Sequence, residues 1–294
     1  MIDKQEKQNK DTSQELKNIK QVGVFLRPNS KDIKKSFDLV KQCFQEVDIK
    51  VLLESTCAKM IGLDGASFDE VCTKSDFLIS LGGDGTLISL ARRSFSFSKP
   101  ILGINLGNLG FLTNLNIQEL RSFLDELLKG EYKIDERIIL EGKNKTKHFY
   151  AFNDIVIRSK SARDMVTIDA SIDNKLFNTY NGDGLIVSTP TGSTAYNLSL
   201  GGPIVYPLTD VLVLAPICAH SLTQRPLVLP LDFELNFCIN DDNGARLIVD
   251  GQDIYELQKS EDICIRDSKF KAKLLYTKTK NYFQVLNEKL NWGN

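Results

Sequence analysis

At Gly130 the pattern of the chain changes, and that change limits the fold more than any other feature. Before it, short apolar runs alternate with amphipathic stretches. "VGVFL" (Val22–Leu26), "KVLLE", "DFLISL" (Asp76–Leu81) and "ILGIN" (Ile101–Asn105) have the length and composition of strands. Between the first two, Ile33, Phe37, Val40 and Phe44 recur at three- and four-residue spacing, which predicts an amphipathic helix. The stretch "NIQELRSFLDELLKG" predicts a second one. Asn116 and Glu119 form a capping box, Leu120, Phe123, Leu124, Leu127 and Leu128 make one apolar stripe, and Gly130 ends the helix. Strands alternating with helices predict a parallel, Rossmann-like sheet covered on both faces.

After Gly130 the helical periodicity stops until the C-terminus. "RIILEG", "HFYAFNDIVIRS", "MVTIDASID", "LFNTY", "LIVST", "DVLVLAP", "RPLVLP", "FELNFCI", "ARLIVDG", "DICIRD" and "AKLLYT" are short runs punctuated by Asp-Asn, Asn-Gly and Pro. They predict a mostly antiparallel, multi-stranded β domain. The expected organisation is a tail over 1–20, an α/β domain over 21–130 and a β-rich domain over 131–277. A final segment, about 278–294, would return as a helix to the first domain.

Composition removes several classes. A net charge of −1 gives no basic face for nucleic acid. The six cysteines form no CxxC pair, and two histidines, His148 and His220, argue against a zinc site. Unpaired thiols point to a reducing compartment, and no apolar run is long enough for a membrane span or a secretion signal. The expectation is a cytoplasmic protein without membrane or nucleic-acid partners, its first twenty residues a mobile tail.

Chemistry concentrates in "LISLGGDGTLISLARRS" (Leu78–Ser94). Gly82, Gly83 and Gly85 follow a strand directly and precede a helix-like stretch, where backbone N–H groups and a helix N-terminus face an anion. Glycines permit positive φ and let a phosphate lie against the backbone. A tight turn alone would also use them. Asp84 fits that plain reading poorly, because a carboxylate repels a phosphate unless it accepts a proton or works with a metal ion. No Gly-Lys-Ser/Thr follows, and the spacing is not GxGxxG.

"GGDGT" resembles the signature of NAD kinases, of lipid kinases of the diacylglycerol type and, more loosely, of phosphofructokinases. Four further stretches select among them. "GINLGNLGFLT" (Gly103–Thr113), "FNDIVI" (Phe152–Ile157), "DGLIVSTPTGSTAYNLSLGGPIV" (Asp183–Val205) and "RPLVLP" (Arg225–Pro230) stand in the order and spacing of NAD kinases, and the similarity runs from about Val22 to the C-terminus.

The resemblance implies roles residue by residue. Asp84 would be the catalytic base, and the phosphoryl donor would lie along Gly82, Gly83, Gly85 and Thr86, with Mg²⁺ or another divalent cation accompanying ATP. Asp84, Gly85, Asn153, Asp154, Asp183, Thr194, Ala195, Tyr196, Asn197, Leu198, Ser199 and Gln252 would bind NAD. Asn153 and Asp154 would hold the adenosine ribose hydroxyls, the carboxylate accepting, and Thr194 to Ser199 would form a shelf for adenine and ribose. On the residues alone, Asn153-Asp154 is either a bulge or a strand end, and the Ser/Thr-rich run is a polar turn. Many relatives carry Glu where Asp154 stands, so the reach here is one methylene shorter. "GNLGFL", with Gly107, Leu109, Gly110, Phe111 and Leu112, would shape the nucleotide cleft without a site residue. Arg163 and Asp164, where some relatives place a basic residue or His, receive no role.

The implied reaction transfers the terminal phosphoryl group of ATP to the 2′-hydroxyl of the adenosine ribose of NAD, bound between the two domains. ATP, polyphosphate or both as donor stays open, as does NADH as acceptor. The family's habit of completing sites across subunits implies a homodimer or homotetramer. A diacylglycerol-type lipid kinase is the alternative enzyme and a catalytically silent NAD-binding regulator the alternative binder. The first would need an exposed apolar or basic membrane surface, and the presence of Asp84 speaks against the second.

Overall fold

The computed structural model describes residues 16–107, 110–113, 115–161, 163–279 and 281–291. In chain order the elements are β1 (Gln21–Leu26), α1 (Ile33–Gln45), β2 (Lys50–Leu53), α2 (Ser55–Ile61), α3 (Phe68–Lys74), β3 (Phe77–Gly82), α4 (Asp84–Ser94), β4 (Ile101–Asn105), β5 (Leu115–Asn116) and α5 (Leu120–Leu128). They continue with β6 (Tyr132–Lys143), β7 (His148–Ala151), β8 (Asp154–Ser159), β9 (Val166–Ile172), β10 (Lys175–Gly182), β11 (Gly184–Ser188) and α6 (Tyr196–Ser199). The last are β12 (Val211–Ile217), β13 (Leu227–Pro230), β14 (Leu235–Ile239), β15 (Ala245–Val249), β16 (Asp253–Leu257), β17 (Asp262–Thr277) and α7 (Tyr282–Leu290). The chain forms two compact units.

The first unit comprises the chain up to Gly83, Pro100–Asp135 and the chain from Leu274. Its strands run in the order β2-β1-β3-β4, all parallel, and Leu274 and Leu275 of β17 continue the sheet beside β4. Every residue of β3 and β4 is buried, as expected for strands covered on both faces. Helix α1 buries Ile33, Phe37, Val40 and Phe44, and the Asn116/Glu119 capping box forms. The turn after that cap is a 3₁₀ turn, with regular α-helix starting only at Leu120. Helices α2 and α3, absent from the sequence expectation, have seven residues each, too few for periodicity to register. Glu54 and Ser67 cap them by accepting from the N–H groups of Cys57 and Glu70. Of the expected tail, residues 1–15 lie outside the described residues, and Leu16 and Ile19 pack on the core. The Leu16 N–H also donates to the Tyr132 hydroxyl at 3.0 Å.

The second unit comprises Asp84–Lys99 and Glu136–Lys273. A six-stranded antiparallel sheet runs β13-β12-β11-β8-β15-β16, and a second set runs β10-β9-β14-β17, also antiparallel. Ile155, Ile157, Leu185, Val187 and Leu247 of the first meet Ile168, Ala170, Leu235, Phe237 and Ile265 of the second in one core. The opposite face of the six-stranded sheet buries Val156, Ile186, Ala215 and Ile217. A sheet apolar on both faces explains why "DIVI" and "LIVS" are continuous apolar runs and not alternating ones.

One boundary differs from the sequence expectation. Helix α4 was expected in the α/β domain with the strand before it, yet segment 84–99 belongs to the second unit. The reason lies in its polar side: the chain around Val249–Asp253 bonds to Gly85 and Arg92 of this helix.

Candidate active site

Strand β3 ends at Gly82 and α4 begins at Asp84, so the glycine-rich turn is as short as a strand-to-helix turn can be. Asp84 sits in the first turn of an eleven-residue helix, where the dipole favours a negative charge. None of Gly82, Gly83 and Gly85 has positive φ, so backbone freedom is not why glycine stands there. A Cβ built on Gly83 or Gly85 would meet nothing within 4 Å. Neither packing nor conformation requires glycine at positions 83 and 85, which leaves an open backbone surface that another molecule could approach. Thr86 is partly buried beside it.

Asn153 and Asp154 mark the start of β8, which resolves the choice between a bulge and a strand end. The carboxylate of Asp250 accepts from three consecutive N–H groups: Phe152 at 2.8 Å, Asn153 at 2.7 Å and Asp154 at 2.9 Å. The carbonyls of the same turn are taken too. Thr189 donates its hydroxyl to Phe152 O at 2.8 Å and its N–H to Asn153 O at 2.8 Å, and the Asp250 N–H donates to Asp154 O at 3.0 Å. With the backbone fully satisfied, what remains is the pair of side chains. Oδ1 of Asn153 is buried without a hydrogen-bond partner. Asp154 is 5% exposed, and its carboxyl is pushed up to about 7, first by burial and then by the charge of Asp250. A fixed, purely accepting carboxylate was the expectation; near neutrality both protonation states exist, and the group can accept or donate.

The run from Ser188 folds over this turn. Residues Gly192–Thr194 form a 3₁₀ turn and Tyr196–Ser199 a single helical turn. Gly192 is required by close approach, since a Cβ there would stand 2.2 Å from the carbonyl oxygen of Asn153. Ser193 donates to Pro190 O at 2.7 Å and accepts from the Val205 N–H at 3.0 Å. Thr194, Ala195 and Leu198 are partly buried, Ser199 is exposed, and Tyr196 is 38% exposed. Asn197 departs from the expectation. Its side chain is fully buried and its amide donates to Ser193 O and Pro203 O at 3.0 and 3.1 Å. Its amide ties the turn together, while its Oδ1 is buried without a hydrogen-bond partner.

Gln252 donates to Gly85 O at 3.3 Å, which brings it to the start of α4. Asp183 is not brought to Asn153 and Asp154. It precedes β11, whose Gly184 pairs with Arg158 while Ser188 pairs with Asp154. Asp183 therefore lies at the far end of β8, roughly 17 Å away at ~3.4 Å per residue. Asn108 and Leu109 of the "GNLGFL" stretch lie outside the described residues. Arg163 is exposed, with its N–H on the Ser161 hydroxyl.

Every residue expected to bind NAD belongs to the second unit. Sequence reading missed Asp250, Arg92 and Thr189. "VDGQD" signals a hairpin turn, and Asp250 and Gly251 do have φ of 49° and 65°. The three amides that Asp250 collects, however, are 96 to 98 residues away. Arg92 and Arg93 are indistinguishable in sequence, and only the fold half-buries the first and exposes the second.

Residues 22–132 match the ATP-NAD kinase N-terminal domain and residues 152–277 the ATP-NAD kinase C-terminal domain. The NAD kinase of Sulfurimonas denitrificans is 49% identical over 279 residues, covering 94% of this chain and 98% of that protein. That of Wolinella succinogenes is 48% identical over 284 residues, covering 95% and 98%. Among solved structures, yeast NADH kinase complexed with NADH superposes with a TM-score of 0.82 at 24% identity, covering 94% of this chain and 89% of that one. An NAD kinase from Archaeoglobus fulgidus in complex with ATP gives 0.73 at 22% identity, covering 92% and 98%. At those identities the two structures establish the fold.

Proposed function

Because the chain belongs to the NAD kinase family and is a phosphotransferase that makes NADP from NAD, we propose that its catalytic chemistry is organised by α4 and the Asn153–Asp154 turn. The acceptor is the 2′-hydroxyl of the adenosine ribose and the donor is the terminal phosphoryl group of ATP. The single observation that carries the site assignment is the turn at Asn153. Its backbone is saturated by Asp250 and Thr189, while the buried Oδ1 of Asn153 has no hydrogen-bond partner. A buried amide oxygen without a partner is costly, and a ribose hydroxyl would satisfy it.

In this reading Asn153 and Asp154 hold the ribose, and the surface around Thr194–Ser199, with the ring of Tyr196, receives the adenosine. The 2′-oxygen attacks the terminal phosphorus of ATP, the bond to the bridging oxygen breaks, ADP leaves, and Asp84 takes the hydroxyl proton. A carboxylate is a weak base for an alcohol, so Asp84 orients the hydroxyl and accepts its proton late. The open backbone at Gly83 and Gly85 supports a donor phosphate along Gly82–Thr86. Among the described residues no group of three or more His, Cys, Asp or Glu side chains could hold a metal ion. A divalent cation would then be carried mainly by the phosphates of ATP, whose charge it would neutralise. Asp183, at the other end of the sheet, suits a site completed by a second copy in a homodimer or homotetramer. Among the described residues no helix is long and apolar enough to cross a membrane.

The test is a donor-by-acceptor matrix on pure protein. ATP, Mg²⁺ and NAD should yield NADP, read by a dehydrogenase that accepts only NADP, with polyphosphate and NADH as further arms. Diacylglycerol in detergent should yield no phospholipid, because it would leave the polar groups at Asn153 and Asp154 unpaired at roughly 1–3 kcal/mol each. Radiolabel entering lipid with NADP at background would overturn the reading.

A further inference from the structure

Two residues outside the expected site join its parts. Arg92 leaves α4 two turns after Asp84 and reaches the hairpin of β15 and β16 at three points. Its Nη1 donates to Val249 O at 3.4 Å, its Nη2 pairs with the carboxylate of Asp253, and its Nε stands 3.4 Å from Oδ2 of Asp250 as an ion pair. The side chain of Asp250 is fully buried, and that of Arg92 is 12% exposed. Oδ2 of Asp250 also accepts from Phe152, and Oδ1 from Asn153 and Asp154. One carboxylate thus touches, on one side, the helix that begins with Asp84 and, on the other, the turn that carries Asn153 and Asp154. At the start of the same helix Gln252, two residues along the hairpin, holds Gly85 O.

The hairpin therefore grips α4 at both ends of its first two turns and grips the Asn153 turn through three amides. We propose that Arg92 and Asp250 are positioning residues that set the placement of Asp84 relative to the acceptor hydroxyl held at Asn153 and Asp154. This rests on the site assignment made above. Neither residue touches substrate in this scheme. Each acts by fixing the helix against the turn, and misplacement of the reacting groups lowers turnover far more than it lowers binding. Arg92 suits the task because its planar fork reaches three acceptors, whereas a lysine offers one point charge.

Removal of Arg92 alone would strand the buried charge of Asp250, so stability and alignment have to be separated. The measurements are kcat and KM for NAD, NAD binding at equilibrium, and thermal midpoints, on the full chain below any melting onset. The variants are Arg92→Lys, Arg92→Met, and the double variant Arg92→Met with Asp250→Asn, which removes both buried charges. Expected are a ten- to hundred-fold fall in kcat for Arg92→Met and a smaller one for Arg92→Lys. KM and binding of NAD should stay within about three-fold in the two Arg92 single variants, which leave the amide bonds of Asp250 in place. In the double variant kcat should stay low whatever its midpoint. A kcat within two-fold of the parent in Arg92→Lys and in the double variant would overturn the proposal. So would loss of NAD binding in proportion to kcat. If Arg92→Met does not fold, Arg92→Lys decides. NADP formation by the parent protein reports separately on the site assignment, since the positioning claim depends only on variant-to-parent ratios.

Discussion

The stretches Gly82–Thr86, rich in glycine, and Ser188–Ser199, rich in hydroxyls around the single Gly192, use their glycines in opposite ways. In the first, Cβ atoms at Gly83 and Gly85 would meet nothing. In the second, a Cβ at Gly192 would collide with the Asn153 carbonyl, and the side chains of Thr189, Ser193 and Asn197 spend their hydrogen bonds on neighbouring backbone. The contrast teaches how to read a glycine. One pressed against the protein's own backbone serves the fold, and one facing open space is available to a ligand.

The sharpest way to break this contrast is at the charge in the open loop. Asp84→Asn should fold normally and lose about 10²- to 10⁴-fold in kcat, the range for removal of a general base. A near-normal kcat in a steady-state assay would take Asp84 out of that role. The filled loop should answer to stability instead. Gly192→Ala should cost about 1–3 kcal/mol through overpacking, read as a lower midpoint in urea. A variant as stable as the parent would mean the loop yields where it looks locked.

Asp154 lies beneath the filled loop and sharpens the comparison through pH. Its pKa is raised to about 7 by burial and by Asp250, against ~3.9 in an unfolded chain. The favourable contribution of the protonated acid is complete below the unfolded value and is lost as pH rises through about 7. Asp154→Asn removes this dependence. Its stability relative to the parent should rise by about 2 kcal/mol between pH 5 and pH 8, measured by urea unfolding. A constant difference across that window would mean that Asp154 titrates normally. The smallest effect belongs to the open loop. Gly85→Ala places a better helix former in the first turn of α4 and should stabilise by about 0.5–1 kcal/mol. It should also raise KM for ATP, because the methyl stands where the donor would lie. An unchanged KM with higher stability would free Gly85 from contact with the donor.

Much of this was legible in the sequence because its signals are local. Strands alternating with amphipathic helices gave the parallel part, short apolar runs punctuated by turn residues gave the antiparallel part, and the capping box at Asn116 formed as read. The glycine turn stood out because strand, glycines and helix are contiguous. Seven-residue helices α2 and α3 escaped because two turns carry too little periodicity. The packing of Leu16 and Ile19 escaped because two apolar residues in a charged stretch look the same folded or free.

By itself, then, the sequence determined the strand and helix types, the open glycine turn with its carboxylate, and the family to which the motifs belong. Only the tertiary structure decided that α4 leaves the sheet it follows and joins the second unit. It alone distinguished Arg92 from Arg93, buried Asn197 as a brace of its turn, separated Asp183 from Asn153, and pushed Asp154 toward neutrality. The physical reason is the same in each case. These outcomes depend on which buried charge or backbone carbonyl ends up beside a residue, and for Asp250 and its amides the chain brings those partners together across nearly a hundred positions.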